Sequence, residues 1–162
     1  MEVIGTEFSR DRVYRYTLTR HFTSLLDERR RYCMFIGLNP STADERVNDP
    51  TVRRCIDYAQ RWGFDALLMT NLFAYRATLP RDMKAAAEPV GADNDLWLVR
   101  AARASELIVC AWGRHGRFQN RGKHVVKLLG EFRLMHFGKN NDGTPKHPLY
   151  MPKITELIPF EL

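Results

Sequence analysis

Cysteine is scarce in this chain, long apolar runs are missing, and no glycine-rich phosphate loop is present; each absence removes a class of protein. The three cysteines, Cys33, Cys55 and Cys110, are widely spaced and odd in number, with no C-x-x-C pair. That excludes a disulfide framework and argues against a cysteine-held metal, so they are expected as small buried thiols in a reducing compartment. No apolar stretch approaches the ~18 to 20 residues that cross a bilayer. The N-terminus MEVIGTEFSRDRVYRY lacks the basic-then-apolar layout of a signal peptide, and the expected location is cytoplasmic, with no membrane partner. There is no lysine-and-hydroxyl P-loop, which argues against nucleoside triphosphate chemistry. There is no G-x-S-x-G elbow either, and Ser41 precedes a polar loop rather than a sharp turn into a helix, which argues against a Ser-His-Asp triad. Zinc fingers, RNA-binding aromatic signatures, lysine-rich tails and internal repeats are also missing.

What remains is basic. With 25 Lys and Arg against 19 Asp and Glu, the formal charge is +6. Such a balance favours nucleic acid, nucleotides or other anions as partners. The length of 162 residues is enough for a core without metal or disulfide support, so one domain over 1–162 is expected.

Residues 1–32 read as an N-terminal hairpin or arm. Phe8 to Val13 offers a polar turn, and YRYTL (Tyr14 to Leu18) alternates like a half-buried strand covering one sheet edge. From residue 33 to 162 strands and helices alternate. Strands are expected at Cys33–Leu38, Ala66–Thr70, Leu107–Ala111 and Arg133–Phe137. Asp49 before Pro50 reads as an N-cap with proline at the first helical position, opening a helix that Gly63 closes. Further helices are expected near Asn94–Ala104 and Gln119–Leu129, with an irregular link over Phe73–Ala92. Uniformly apolar strands alternating with helices predict an α/β fold: a three-layer α/β/α sandwich on a four-stranded parallel sheet. Right-handed crossovers then bring every strand-to-helix loop to one edge.

Each strand ends in an abrupt polar or glycine-rich stop, and these stops hold the candidate site. In Gly37-Leu38-Asn39-Pro40-Ser41-Thr42 the glycine permits close backbone approach and the proline fixes the Asn39 amide; the same residues can also serve a plain turn. Asn71, after five apolar residues, either ties down a loop or reads a ligand with a donor and an acceptor, as on a nucleobase edge. Trp112-Gly113-Arg114-His115-Gly116-Arg117 joins two glycines to cationic side chains that can hold phosphate. His147 is restrained between Pro145 and Pro148 in an otherwise glycine- and asparagine-rich loop. Asp44 and Asp49 can act as acids or bases, although Asp49 is already accounted for as a cap.

On these residues the chain is identified as a member of the bacterial and phage family called domain of unknown function 1643. The carrying motifs are LNPSTAD (Leu38 to Asp44), NDPTVRRC (Asn48 to Cys55), NLFAYRAT (Asn71 to Thr78), AWG (Ala111 to Gly113) and KHPLY (Lys146 to Tyr150). More remotely, the order of the stops resembles the uracil-DNA glycosylase superfamily. That resemblance implies a glycosylase-like fold in which Asn39, in a G-x-N-P motif like the mismatch-directed branch, orients the hydrolytic water. It implies that His147 polarises a base oxygen and that Asn71 reads the base edge. Gly37, Pro40, Ser41, Trp112, Gly113 and Pro148 would frame the substrate, and Leu149 or Met151 would wedge the duplex. Between Pro40 and Tyr58 there is no aromatic to stack on the base, which leaves Phe73 or Tyr75 for that role. Arg114, Arg117, Lys139 and Lys146 would hold phosphates.

The function expected is nucleobase recognition, as an N-glycosidase on a deaminated or modified base in DNA. The alternatives are a non-catalytic module binding nucleic acid or nucleotide, and an enzyme on a small nucleoside. No metal and no organic cofactor is expected.

Overall fold

The computed structural model describes residues 3–23 and 30–161; the end of the expected N-terminal arm, at 24–29, lies outside them. Seven strands form one mixed sheet: β1 (Glu7–Phe8), β2 (Arg15–His21), β3 (Tyr32–Gly37), β4 (Ala66–Asn71), β5 (Ser105–Cys110), β6 (Leu134–His136) and β7 (Ile158–Pro159). Their spatial order is β1-β2-β4-β3-β5-β6-β7. The four strands expected from the sequence are parallel to one another in the middle. The sheet as a whole is not parallel, which corrects the four-stranded expectation. The N-terminal hairpin pairs antiparallel on β4, and β7 pairs antiparallel on β6. Both additions satisfy edges a bare parallel sheet would leave open. The β7 segment is only two residues long and ends in proline, too little pattern to read as a strand.

Strand β3 shows why the middle of the sheet is parallel. All six of its residues are buried. Cys33 and Phe35 enter the core on one face, while Met34 and Ile36 enter the core on the other. A strand with helices on both sides has no solvent face to serve, so its run is continuous rather than alternating.

Helix α1 (Pro50–Arg61) covers one face with Val52, Cys55, Tyr58 and Ala59. It begins where expected: the Asp49 carboxylate accepts from the Val52 N–H at 2.8 Å and Pro50 occupies the first turn. Gly63, at φ +81°, follows its end. Tyr58 stacks with Trp62 and lies 4.8 Å from the Phe137 ring, and its hydroxyl donates to the Pro152 carbonyl at 2.6 Å. On the other face lie α2 (Pro80–Ala85), α3 (Asn94–Ala104) and α4 (Arg121–Leu128), contributing Met83, Leu98, Ala101 and Val125. Helix α2 replaces part of the irregular link. Its six residues are too few to show a helical period, and only Met83 is buried. The third expected helix starts later, because Arg114–Asn120 forms 3-10 turns first. The cysteines are buried free thiols, and burial raises the pKa of all three.

Trp112, two residues past the end of β5, has its indole pressed between two glycines. A side-chain carbon on Gly116 would fall 2.0 Å from Trp112 Cδ1, and one on Gly122 would fall 2.9 Å from Nε1. Phe160 closes over the indole at 6.1 Å. Gly116→Ala is therefore expected to displace the indole and cost about 1–3 kcal/mol. Gly5→Ala, whose added carbon would meet nothing nearer than 3.8 Å, is expected to leave the denaturant midpoint unchanged. Equal midpoints for the two variants would show that the indole is not held by this contact.

Candidate functional site

The stops after β3, β4 and β5 meet around a cavity of about 960 Å³. Consecutive core strands β3 and β4 are neighbours, whereas β5 lies on the other side of β3. The connections leave in opposite directions there, and a crevice opens at the carboxyl ends of the strands. Backbone bonds hold the stops together: Leu72 N–H to Gly37 O at 2.9 Å, Phe73 N–H to Leu38 O at 2.9 Å and Ala111 N–H to Ile36 O at 2.9 Å.

Asn39 lines the cavity with part of its amide committed. Its Nδ2 donates to Ala77 O at 2.8 Å and to Pro40 O at 3.1 Å, clasping the first stop to the segment after β4. Oδ1 has no donor among the described residues and is the atom left for a ligand or water. Both readings of this residue, turn and ligand group, therefore have an atom to serve them.

Asn71 sits at the end of β4, 4% exposed, on the cavity floor. Its position is fixed from behind. Asn94 Nδ2 donates to the carbonyls of Asn71 and Leu72 at 3.0 Å each, and Arg121 Nε donates to Leu72 O at 2.8 Å. Arg121 in turn pairs with Asp95 at 2.6 Å. Asn71 Oδ1 accepts from Arg15 at 3.3 Å, which leaves Nδ2 as the group offered to a ligand.

His147 reaches the same cavity from the loop after β6. That loop is rigid. Asp142 accepts from the Thr144 N–H at 3.0 Å and from its hydroxyl at 2.5 Å, Lys146 N–H donates to Gly138 O at 2.9 Å, and Gly113 N–H donates to Pro145 O at 3.0 Å. Gly113, at φ +75°, makes the turn that brings β5's end against the loop. His147 Nδ1 accepts from the Leu149 N–H at 3.2 Å, so in the neutral ring the proton sits on Nε2. Burial lowers the imidazole's pKa, with Asp49 opposing more weakly, and the neutral ring is favoured.

Of the other expected residues, Gly37, Ser41, Trp112, Gly113, Arg114 and Lys146 line the cavity. Trp112 is 3% exposed and contributes only an edge. Pro40 and Pro148 are buried beside the cavity rather than on its wall. Phe73 corrects the expectation of a stacking ring: it has no exposed surface and packs on Phe118 at 5.7 Å. Its N–H continues the pairing with β3's extension, and this sends the ring into the core. Tyr75 instead meets Tyr14 edge-on at 5.9 Å. Two expected phosphate holders also lie away from the lining. Arg117 is 3.9 Å from Asp142, while Lys139 donates to Glu161 O at 3.0 Å and lies over the Phe160 ring.

Sequence reasoning did not single out Arg15 or Tyr150 as lining residues, and it set Asp49 aside as a cap. Arg15 is a buried cation on β2, hidden in an apparently amphipathic edge strand. Asp49, 8% exposed, is the only carboxylate on the wall; one oxygen caps α1 and the other has no partner among the described residues. Tyr150, 84% exposed, stands at the mouth with its ring 5.8 Å from His147. The cap signal at Asp49 was visible, but a cap can also face a cavity, and only the fold reveals that.

Among the described residues no helix is long and apolar enough to cross a membrane. None of their His, Cys, Asp and Glu side chains gather in groups of three that could hold a metal ion. No curated protein and no solved structure matches the chain. A family model does match, over residues 15–149, a span that contains every strand stop and the whole of the cavity wall except Tyr150. The chain belongs to the family described as Protein of unknown function (DUF1643).

Proposed function

We propose that this protein recognises a nucleobase in the cavity and hydrolyses the N-glycosidic bond of a deaminated or modified base in DNA, on a scaffold of the uracil-DNA glycosylase type. The observation that carries the reading is the convergence of Asn39, Asn71 and His147, from three separate strand ends, on one cavity of about 960 Å³. That space is at the upper end of small-ligand sites and admits a base with its sugar.

The chemistry assigns each group a task. Breaking the bond sends its electron pair to the base, while water adds to the sugar carbon and loses a proton. Asn39 Oδ1 accepts one water hydrogen and orients the attack. The free Asp49 oxygen takes the proton, since it is the only carboxylate on the wall. His147 Nε2–H donates to the base oxygen on which negative charge develops. A neutral donor suits this role, and burial keeps the ring neutral. Arg114 and Lys146 on the rim attract phosphates, which positions a strand without reading its sequence. Leu149 and Tyr150, 42% and 84% exposed at the mouth, are the side chains available to fill the gap left by a flipped base.

Single-turnover incubation with oligonucleotides carrying uracil, hypoxanthine or xanthine is expected to give an abasic product from at least one. Asp49→Asn keeps a cap-competent side chain but cannot take the proton. It is expected to lower the cleavage rate by about 10²-fold or more, with binding little changed. No abasic site from any of the three bases sinks the hydrolase reading. Binding without cleavage would leave a recognition module.

A second expectation concerns pH. The His147 pKa lies below its ordinary 6.5 in the folded chain, so its stabilising contribution is complete above that value and is lost as pH falls towards the folded value. Protonation at Nδ1 would also set a donor against the Leu149 N–H. The difference in melting temperature between wild type and His147→Gln is therefore expected to shrink on acidification. A constant difference from neutral to acid would show that the Nδ1 contact contributes nothing.

A further inference from the structure

Arg15 lies near the start of β2 with only 2% of its surface exposed, yet it lines the cavity. A guanidinium out of water is costly unless its charge is matched and its donors are satisfied. Neither condition is met within the protein. Of its five N–H donors, Nη1 serves Ala43 O at 3.0 Å and Nη2 serves Asn71 Oδ1 at 3.3 Å, while Nε is buried with no acceptor. It makes no ion pair with any described carboxylate. Arg20 and Arg76 add charge of the same sign nearby, opposed by the Asp49 carboxylate, which makes no hydrogen bond or ion pair with Arg15. Burial lowers the Arg15 pKa to about 10, so the side chain remains a cation at neutral pH.

The neighbouring amide completes the pattern. Because Asn71 Oδ1 faces Arg15, its Nδ2 turns to the space beside Gly37, where an added side-chain carbon would lie 2.9 Å from it. The floor thus offers several donors and few acceptors. A neutral uracil edge, which alternates acceptor and donor, matches it poorly. An oxygen carrying negative charge matches it well, because it accepts from both side chains and neutralises the buried cation.

We propose that the floor of the cavity is an oxyanion subsite, in which Arg15 and Asn71 Nδ2 take a negatively charged oxygen of the ligand. The oxygen can belong to a base that ionises near neutrality, as a xanthine-type base does, or to the phosphate of a small nucleotide. The inference rests on the cavity being a nucleobase site, as in the reading above, but not on bond cleavage.

Calorimetry on the full chain separates the sources. The probes are uridine, xanthosine at a pH where its base is ionised, uridine 5′-monophosphate and inorganic phosphate. At least one anionic probe is expected to bind about tenfold or more tighter than uridine. Preference for xanthosine alone assigns the oxyanion to the base, and preference for the phosphate-bearing probes assigns it to phosphate. Arg15→Met should erase the preference and Arg15→Lys should keep part of it, whereas the double variant Arg114→Ala, Lys146→Ala, which removes the rim cations, should weaken the phosphate-bearing probes without erasing the preference. Loss of the preference in the double variant would move the effect to the rim and overturn the subsite. Uridine binding wild type as tightly as every anionic probe would overturn it too, even if Arg15→Met fails to fold. If uracil oligonucleotides are cleaved while no anion is preferred, the subsite alone falls. If nothing binds and nothing is cleaved, the nucleobase reading falls with it.

Discussion

The parallel pairing of β3 with β4 on one side and β5 on the other is the constraint on which the rest of this structure depends. It places Gly37, Asn71 and Cys110 near one edge, and the chain beyond each strand has to leave from that edge. The bonds Leu72 N–H to Gly37 O and Ala111 N–H to Ile36 O then extend the pairing past the regular strands. Three polar segments are thereby held close enough to share a cavity. No single loop builds the site; the registers of the sheet build it. Shifting β4 by one residue would turn Asn71 to the opposite face and put Leu72 or Thr70 in its place.

This explains what was legible in the sequence. The middle of the sheet showed itself in uniformly apolar runs such as CMFIG, whose residues feed both cores. Helix α1 showed itself in the Asp49-Pro50 start and the Gly63 end, both local chemistry. Asn39 and Asn71 follow buried strands closely, where a polar side chain has few places to go, and His147 stood out between two prolines; all three line the cavity. Arg15 and Phe73 were not legible, for opposite reasons. Arg15 alternates with apolar neighbours as a solvent-facing residue would, and only the fold, which sets Ala43 O and Asn71 against its guanidinium, buries it. Phe73 follows a polar stop as a ligand-facing ring would, and only the continued pairing along β3 turns it inward. In both, long-range contacts overrode a local pattern.

Two of the five buried side-chain polar atoms without a hydrogen-bond partner among the described residues lie around the site. Arg15 Nε and Asn94 Oδ1 are buried without partners, and both belong to the shell around Asn71. Such groups are destabilising, and in a fold with two well-packed cores they are tolerated where they hold something in place. Asn94 uses its amide nitrogen to fix the Asn71-Leu72 turn, with Arg121 helping from α4. Arg15 fixes the Asn71 amide from the other side. Asn71 is thus bonded by side chains from two elements, while Arg121 from a third holds the next carbonyl.

The absence of an aromatic between Pro40 and Tyr58 can now be weighed against the geometry. The wall holds two aromatic carbocycles, Trp112 and Tyr150, and two imidazoles, His115 and His147. Trp112 is immobilised by Gly116, Gly122 and Phe160 and shows the cavity only an edge. Tyr150 is free, but it stands at the mouth rather than in the depth. His115 Nδ1 lies 2.9 Å from Lys84 Nζ, and burial, helped by that cation, lowers its pKa. A ligand held here is therefore gripped by its polar edge at the floor and covered by a ring only near the entrance. Polar recognition has to supply most of the selectivity, because stacking tolerates any base while an unmatched buried donor does not. In the proposed reading the discriminating role then falls on Arg15 and Asn71 rather than on a stacking platform.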